Sequence, residues 1–135
     1  DKALADINAE LSKFTAEGVQ LSLAGIKQFY DGISYYTPEN PTPKKKLNTI
    51  FSIDKDQEEP LLQCILQLKR LVTIHEGIRM QDIKRYGIEI YRRRINMNQQ
   101  VEAVTDVLTK EDPRRAIQLP QDVITAGMTP NPRNK

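Results

Sequence analysis

Tryptophan is missing from this 135-residue chain, and cysteine and histidine occur once each. A single cysteine, Cys64, excludes an internal disulfide; set in an apolar helical pattern, it reads as a buried, inert thiol. With His75 the only histidine, no metal-ligand set is in view. Glu76 follows it directly, but successive helix residues do not face each other, so His75 is read as structural. No glycine-rich phosphate loop or nucleophile elbow occurs. No catalytic residue, metal or other cofactor is expected, and the chain is read as not an enzyme. Neither charge sign dominates: 20 basic against 18 acidic residues leave +2. That balance provides no pull toward nucleic acid or an anionic membrane. No run approaches the length of a membrane-spanning helix, and no signal sequence is read at the start. The length suits one domain of ordinary size.

What is present centres on residues 61–87, LLQCILQLKRLVTIHEGIRMQDIKRYG. Leu61, Ile65, Leu68 and Val72 recur at helical spacing, while Leu62, Leu66, Leu71 and Ile74 fill much of the remaining circumference. A helix apolar on most sides needs cover on most sides. Pro60 suits its first turn, and Glu58 and Glu59 favour its positive end. Gly77 predicts an end or a bend, since glycine in mid-helix costs about 1 kcal/mol relative to alanine. A second short helix then carries Ile78, Arg79, Asp82, Ile83, Arg85 and Tyr86.

The block from Glu76 to Gly87, EGIRMQDIKRYG, resembles the signature of the SusD/RagB family of outer-membrane nutrient-binding lipoproteins: Glu-Gly-x-Arg-Trp-x-Asp-Leu/Ile-x-Arg-x-Gly after a helix with paired basic residues, here Lys69 and Arg70. Residues 117–124, IQLPQDVI, resemble the family's closing Pro-Ile-Pro-x-x-Glu-Ile, and Pro130-Asn131-Pro132 stands where it has Gln-Asn-Pro. Met80 replaces the signature's Trp, Val72 an acidic residue four before Glu76, and Gln118 the first Pro of the closing motif. The resemblance spans residues 1–135, most strongly 60–95 and 114–132. It implies a mainly α fold, the C-terminal portion of a SusD-like helical architecture with a few short strands and long loops. It also implies that a helical-repeat region and a lipidated cysteine lie upstream, outside this chain. The implied setting is the cell surface, anchored in the outer membrane. The implied partners are that upstream region, an oligosaccharide or peptide ligand, and a TonB-dependent transporter, with no nucleic acid.

Leu4, Ile7, Leu11 and Phe14 predict a helix over 4–17 stopped by Gly18. Residues 19–23 alternate like a brief strand, and Ile26, Phe29, Tyr30 and Ile33 predict a helix over 24–34. Phe29 and Tyr30 read as core by spacing. Residues 37–48 hold three prolines and the Lys44–Lys46 run; they are expected to be an exposed, mobile loop, with the lysines solvated rather than phosphate-bound. Ile50, Phe51 and Ile53 form a small apolar knot. The central helices are expected over 58–76 and 78–86, and a short strand near 88–95. Residues 96–113 read as strand or loop, and 121–126 as one helical turn stopped by Gly127.

Glu76, Arg79, Asp82 and Arg85 are spaced three apart and predict a ladder of ion pairs along one helix face. Interleaved arginines favour neutralised acids over a tuned general acid, and the resemblance implies that these residues are structural. Glycan sites present aromatic faces. Tyr35 and Tyr36, beside the proline loop, are the ligand-contact candidates, a core role remaining the other reading. Three functions stay open: nutrient capture, a helical interaction module without a small ligand, and nucleic-acid binding through Lys44–Lys46 and Arg92–Arg94.

Overall fold

In the computed structural model, residues 2–16 and 18–133 are described. The helices are α1 Lys2–Leu11, α2 Leu23–Asp31, α3 Glu58–Val72, α4 Arg79–Arg85 and α5 Gln121–Thr125; the strands are β1 Ile90–Ile95 and β2 Val101–Leu108. All four expected helices form, but the expected lengths do not. The helix predicted over 4–17 ends at Leu11, and Glu17 of that span lies outside the described residues. Beyond Leu11 the Ser12 hydroxyl donates to Ala9 O and the Thr15 hydroxyl to Leu11 O, local bonds that compete with helical continuation. Likewise α3 stops at Val72 rather than Glu76, where Val72, Thr73 and Ile74 bring β-branched crowding and Thr73 Oγ1 bonds back to Lys69 O. Glu76 and His75 therefore sit in an exposed turn ahead of Gly77.

The expected mainly α class is overturned. With 37% helix and 11% strand, the molecule is an α/β mix. Shortened helices account for part of this, and β2, in the stretch read as strand or loop, for the rest. β1 and β2 form an antiparallel pair from Ile90↔Leu108 to Ile95↔Val101, with register shifts after Arg92 and Arg94. A lone two-stranded sheet is marginal in water. Here the buried Arg115 fastens its base. Its guanidinium donates to Thr109 O, Ile83 O, Ile88 O and Leu108 O, tying the hairpin to the end of α4.

Asp54 organises the start of α3. Its side chain accepts from the Asp56 and Gln57 amides, and the Glu58 carboxylate bonds back to the Asp54 amide. The central cluster is Ile26, Tyr30 and Cys64, with Leu4, Leu21, Ile33, Leu61 and Leu68 packed on it. Ile26 and Tyr30 come from α2 and Cys64 from α3. Phe29, expected in the core, is 55% exposed, because only the Ile26–Tyr30 side of α2 meets α3. Residues 19–23 do not form a strand: the Asn8 side chain clamps them instead, donating to Leu21 O at 2.9 Å and accepting from Leu21 N at 2.8 Å. Nor is Ile50 part of an apolar knot, being 92% exposed.

α4 is bracketed to α3 by Lys69 and the buried Asp82, 2.7 Å apart. From the other side Asn48 holds its end, donating through its amide to Tyr86 O and through its side chain to Gly87 O.

A cationic two-lobed cleft as the candidate functional site

The loop over residues 37–48 is not the freely exposed segment its prolines predict. Tyr36 N donates to Lys44 O at 2.7 Å, and Thr42 Oγ1 to Ser34 O at 2.8 Å. Gln63, in the middle of α3 and 1% exposed, then reads the loop backbone twice: Lys45 N donates to its Oε1 at 3.0 Å and its Nε2 to Lys45 O at 2.5 Å. A glutamine inside an apolar helix must find partners, because an unsatisfied buried amide costs about 1–3 kcal/mol. The loop backbone is that partner. Docking separates the lysines of the 44–46 run. Lys44 Nζ donates to Tyr30 O at the end of α2, and Lys45 Nζ lies 3.3 Å over the Tyr36 ring centroid, while Lys46 is exposed.

Two adjoining cavities open beside this loop. The first, about 400 Å3, is lined by Tyr35, Tyr36, Lys45, Lys46, Glu59 and Tyr91 among others. The second, about 520 Å3, is lined by Tyr36, Lys45, Arg70, Arg79, Arg93 and Tyr91 among others. Tyr36, Lys45, Ile88, Glu89 and Tyr91 belong to both, so they form the partition. The ligand candidates Tyr35 and Tyr36 thus meet at one lobe. Each already carries a cation on its ring: Lys44 Nζ stands 4.7 Å from the Tyr35 centroid, and Tyr36 has Lys45 on it with the Tyr91 ring 6.0 Å away. The Tyr35 hydroxyl donates to Glu59 Oε1 at 2.8 Å; desolvation, then that carboxylate, pushes its pKa up to about 12. These tyrosines shape the wall and position ammonium groups as well as presenting ring surface.

The predicted ion-pair ladder does not form. Asp82 pairs across to Lys69 on α3 instead of along α4. Glu76 is in the turn outside α4, and Arg85 is exposed, its guanidinium 5.9 Å from the ring centroids of Phe51 and Tyr86. Arg79 lines the second cavity, and its Nη1 is buried with no hydrogen-bond partner. Three-residue spacing puts these residues near one another on a helix, but α4 is seven residues long and its neighbours hold the better partners.

Burial is the main influence on Lys45; with the positive charges of Arg70, Arg79 and Arg93, it pulls the ammonium pKa down to about 8. Burial, then Arg70, likewise lowers Arg79, with Asp82 opposing. The sequence reading missed this gathering. Its four cations come from a loop, α3, α4 and β1; in the sequence Lys45 and Arg93 lie in basic runs, Arg70 in a basic pair and Arg79 in the expected ladder, with nothing to join them. Arg94 is engaged by Glu102 at 2.8 Å, and neither Arg92 nor Arg94 lines the cavity. His75 lies in neither lobe. Cys64 is buried, and desolvation pushes its thiol above the usual value. Among the described residues, no group of three or more His, Cys, Asp or Glu side chains is placed to hold a metal ion. What the cleft offers a ligand is positive charge, ring surface and hydrogen-bond donors.

The residues of the second sequence motif also come together. Gln118 Nε2 donates to Asn131 O and Gln118 Oε1 accepts from Asn131 N, while Asn131 Nδ2 donates to Ile117 O, so residues 117–118 and 131 form one clasp. Among the described residues, no helix is long and apolar enough to cross a membrane. No protein-family model, curated protein or solved structure matches the chain.

Proposed function

We propose that the chain is a non-catalytic ligand-capture module, the C-terminal part of an outer-membrane nutrient-binding lipoprotein of the SusD/RagB kind. In this role it captures an oligosaccharide or peptide and passes it to a TonB-dependent transporter. The observation that carries the capture reading is the two-lobed cleft, with cavities of about 400 and 520 Å3 sharing a tyrosine–lysine partition. Cavities of this size, walled by rings and a few charged groups, suit a ligand held by contact and charge. The family reading is supported by the sequence signature, whose residues have separable jobs: Asp82 brackets α3, Gly87 admits the Asn48 backbone, and Arg79 faces the cleft wall.

Calorimetric titration of the chain with a panel of oligosaccharides and peptides tests the proposal, with mass spectrometry of the recovered ligands. One class should bind, return intact, and lose about tenfold or more in affinity on Tyr36→Ala, the loss of about 1.4 kcal/mol of contact. Binding by none, or chemical turnover of any, would overturn it.

A second reading, a protein-interaction module without a small ligand, has its own observation. Ile7, Leu11, Phe14, Ile65, Leu68 and Val72 line an apolar groove between α1 and α3. A partner that seats in this groove while the cleft variants leave its affinity unchanged would favour it.

A further inference from the structure

We propose that the second cavity is an oxyanion subsite, in which Lys45, Arg70, Arg79 and Arg93 surround one carboxylate, sulfate or phosphate group of a small ligand. This deepens the capture reading and rests on it for the carrier: an acidic oligosaccharide or peptide whose neutral part lies along the tyrosine lobe.

The case begins with how other cations on this chain are treated. Arg114 has Asp106 and Asp112, Lys69 has Asp82, Lys27 has Asp31 and Asp56, and Arg115 has four backbone carbonyls. Among the described residues the four in the cavity wall have no ion-pair partner, as is true of exposed cations such as Arg85 and Arg92, but these four share one wall. Lys45 donates to Thr42 O and Arg93 to Pro38 O, both neutral carbonyls. Arg79 keeps a buried Nη1 with no acceptor, a group whose desolvation the surrounding protein leaves uncompensated. The one carboxylate in the same wall, Glu89, accepts from the Tyr91 hydroxyl at 2.6 Å. Like charges gathered with one acid repel one another, a cost that a bound anion lowers.

Two features set the class of ligand. A volume of about 520 Å3 suits a sugar- or amino-acid-sized unit. Arginine forks also suit planar or tetrahedral oxyanions, to which they donate paired hydrogen bonds. The neighbouring Arg92 and Arg94 stay outside the cavity, so the four cations gather around one cavity instead of continuing as a track along a nucleic-acid backbone.

The test is calorimetric titration of the full chain with a galacturonate trimer and triglutamate, their neutral counterparts galactose trimer and triglutamine, inorganic phosphate, and a short single-stranded oligonucleotide. At least one acidic probe should bind about tenfold or more tightly than its neutral counterpart, with the margin shrinking at high salt. Arg70→Gln should abolish that margin. Arg70 is exposed and its side chain makes no hydrogen bond among the described residues, so this variant keeps the fold; Arg93→Gln, checked by its melting curve, is the second. Equal affinity for acidic and neutral probes would overturn the subsite, as would a margin that survives both substitutions together. Should no oligosaccharide or peptide bind while phosphate binds in an Arg70-dependent way, the subsite stands and the capture reading falls. Silence from every small probe sinks the subsite. So does an oligonucleotide that binds most tightly and ignores Arg70→Gln.

Discussion

Gly87 shows how little room a single residue can have. Its φ of +59° is left-handed, and a Cβ built there would lie 2.3 Å from Asn48 O. Left-handed backbone costs a non-glycine residue about 1–2 kcal/mol. The clash adds to this by displacing Asn48 from Tyr86 O and Gly87 O. Gly87→Ala should therefore lower stability by about 2 kcal/mol or more, read as a fall in Tm. Gly77→Ala, where φ is +69° but nothing lies within 4 Å of the added carbon, should show the smaller backbone cost alone. Lys45 gives a pH signature. Its pKa is about 8 when folded against 10.5 for an ordinary lysine, so between those values the unfolded chain binds the extra proton. Stability therefore rises with pH across that window, and the burden of a charged, crowded Lys45 is fully present below it. Melting curves from pH 7 to 10 should show wild type gaining relative to Lys45→Gln, a difference that cancels the other titrating groups. A flat difference would mean that Lys45 is well solvated.

At the scale of elements, one loop and one helix are coupled by a single side chain. Gln63 bonds to the Lys45 amide and carbonyl and, at 3.3 Å, to Glu59, which in turn accepts from Tyr35. Gln63→Leu keeps approximate volume but leaves the Lys45 backbone without these partners, at about 1–3 kcal/mol. Its signature should be local: faster amide hydrogen exchange at Lys45, with α3 amides beside Cys64 still protected by the α2 contact. Exchange accelerating equally along all of α3 would show that Gln63 supports the helix itself. The hairpin depends on another single side chain, Arg115, since its own two strands bury too little to persist alone.

For the whole molecule, exposed area is the informative quantity. A folded 15.5 kDa monomer is expected to expose about 7,200 Å2, whereas this chain exposes 9820 Å2. Only Ile7, Ile26, Tyr30, Cys64, Leu66 and Ile88 count as buried hydrophobics among the described residues, while Phe14, Leu71, Val72 and Ile74 are each about half exposed or more. Apolar surface on that scale associates in water. The isolated chain should give light-scattering masses above 15.5 kDa and bind a hydrophobic dye, and Phe14→Ser with Val72→Ser should reduce both. A monodisperse monomer that ignores the dye would show the surface to be self-sufficient.

Periodicity located all four expected helices, because which side of a helix is apolar is written within a few consecutive turns. The strand near Ile90 and the single turn before Gly127 were legible for the same local reason, the latter confirmed by α5 and a glycine φ of +104°. Where α1 and α3 stop was less legible, since serine, threonine and β-branched side chains compete with the helix only by small margins. Beyond reach were contacts spanning many residues: Gln63 to Lys45 across 18 positions and Arg93 to Pro38 across 55. The cationic cavity is of this second kind. Its charges lie on four segments, unremarkable one by one in a chain of net charge +2, and acquire a shared function only when packing closes the distance. Sequence determined the elements, because their hydrogen bonds and apolar faces are local. Tertiary structure alone decided that Arg79 would leave the expected ladder, because Asp82 found Lys69 on the neighbouring helix.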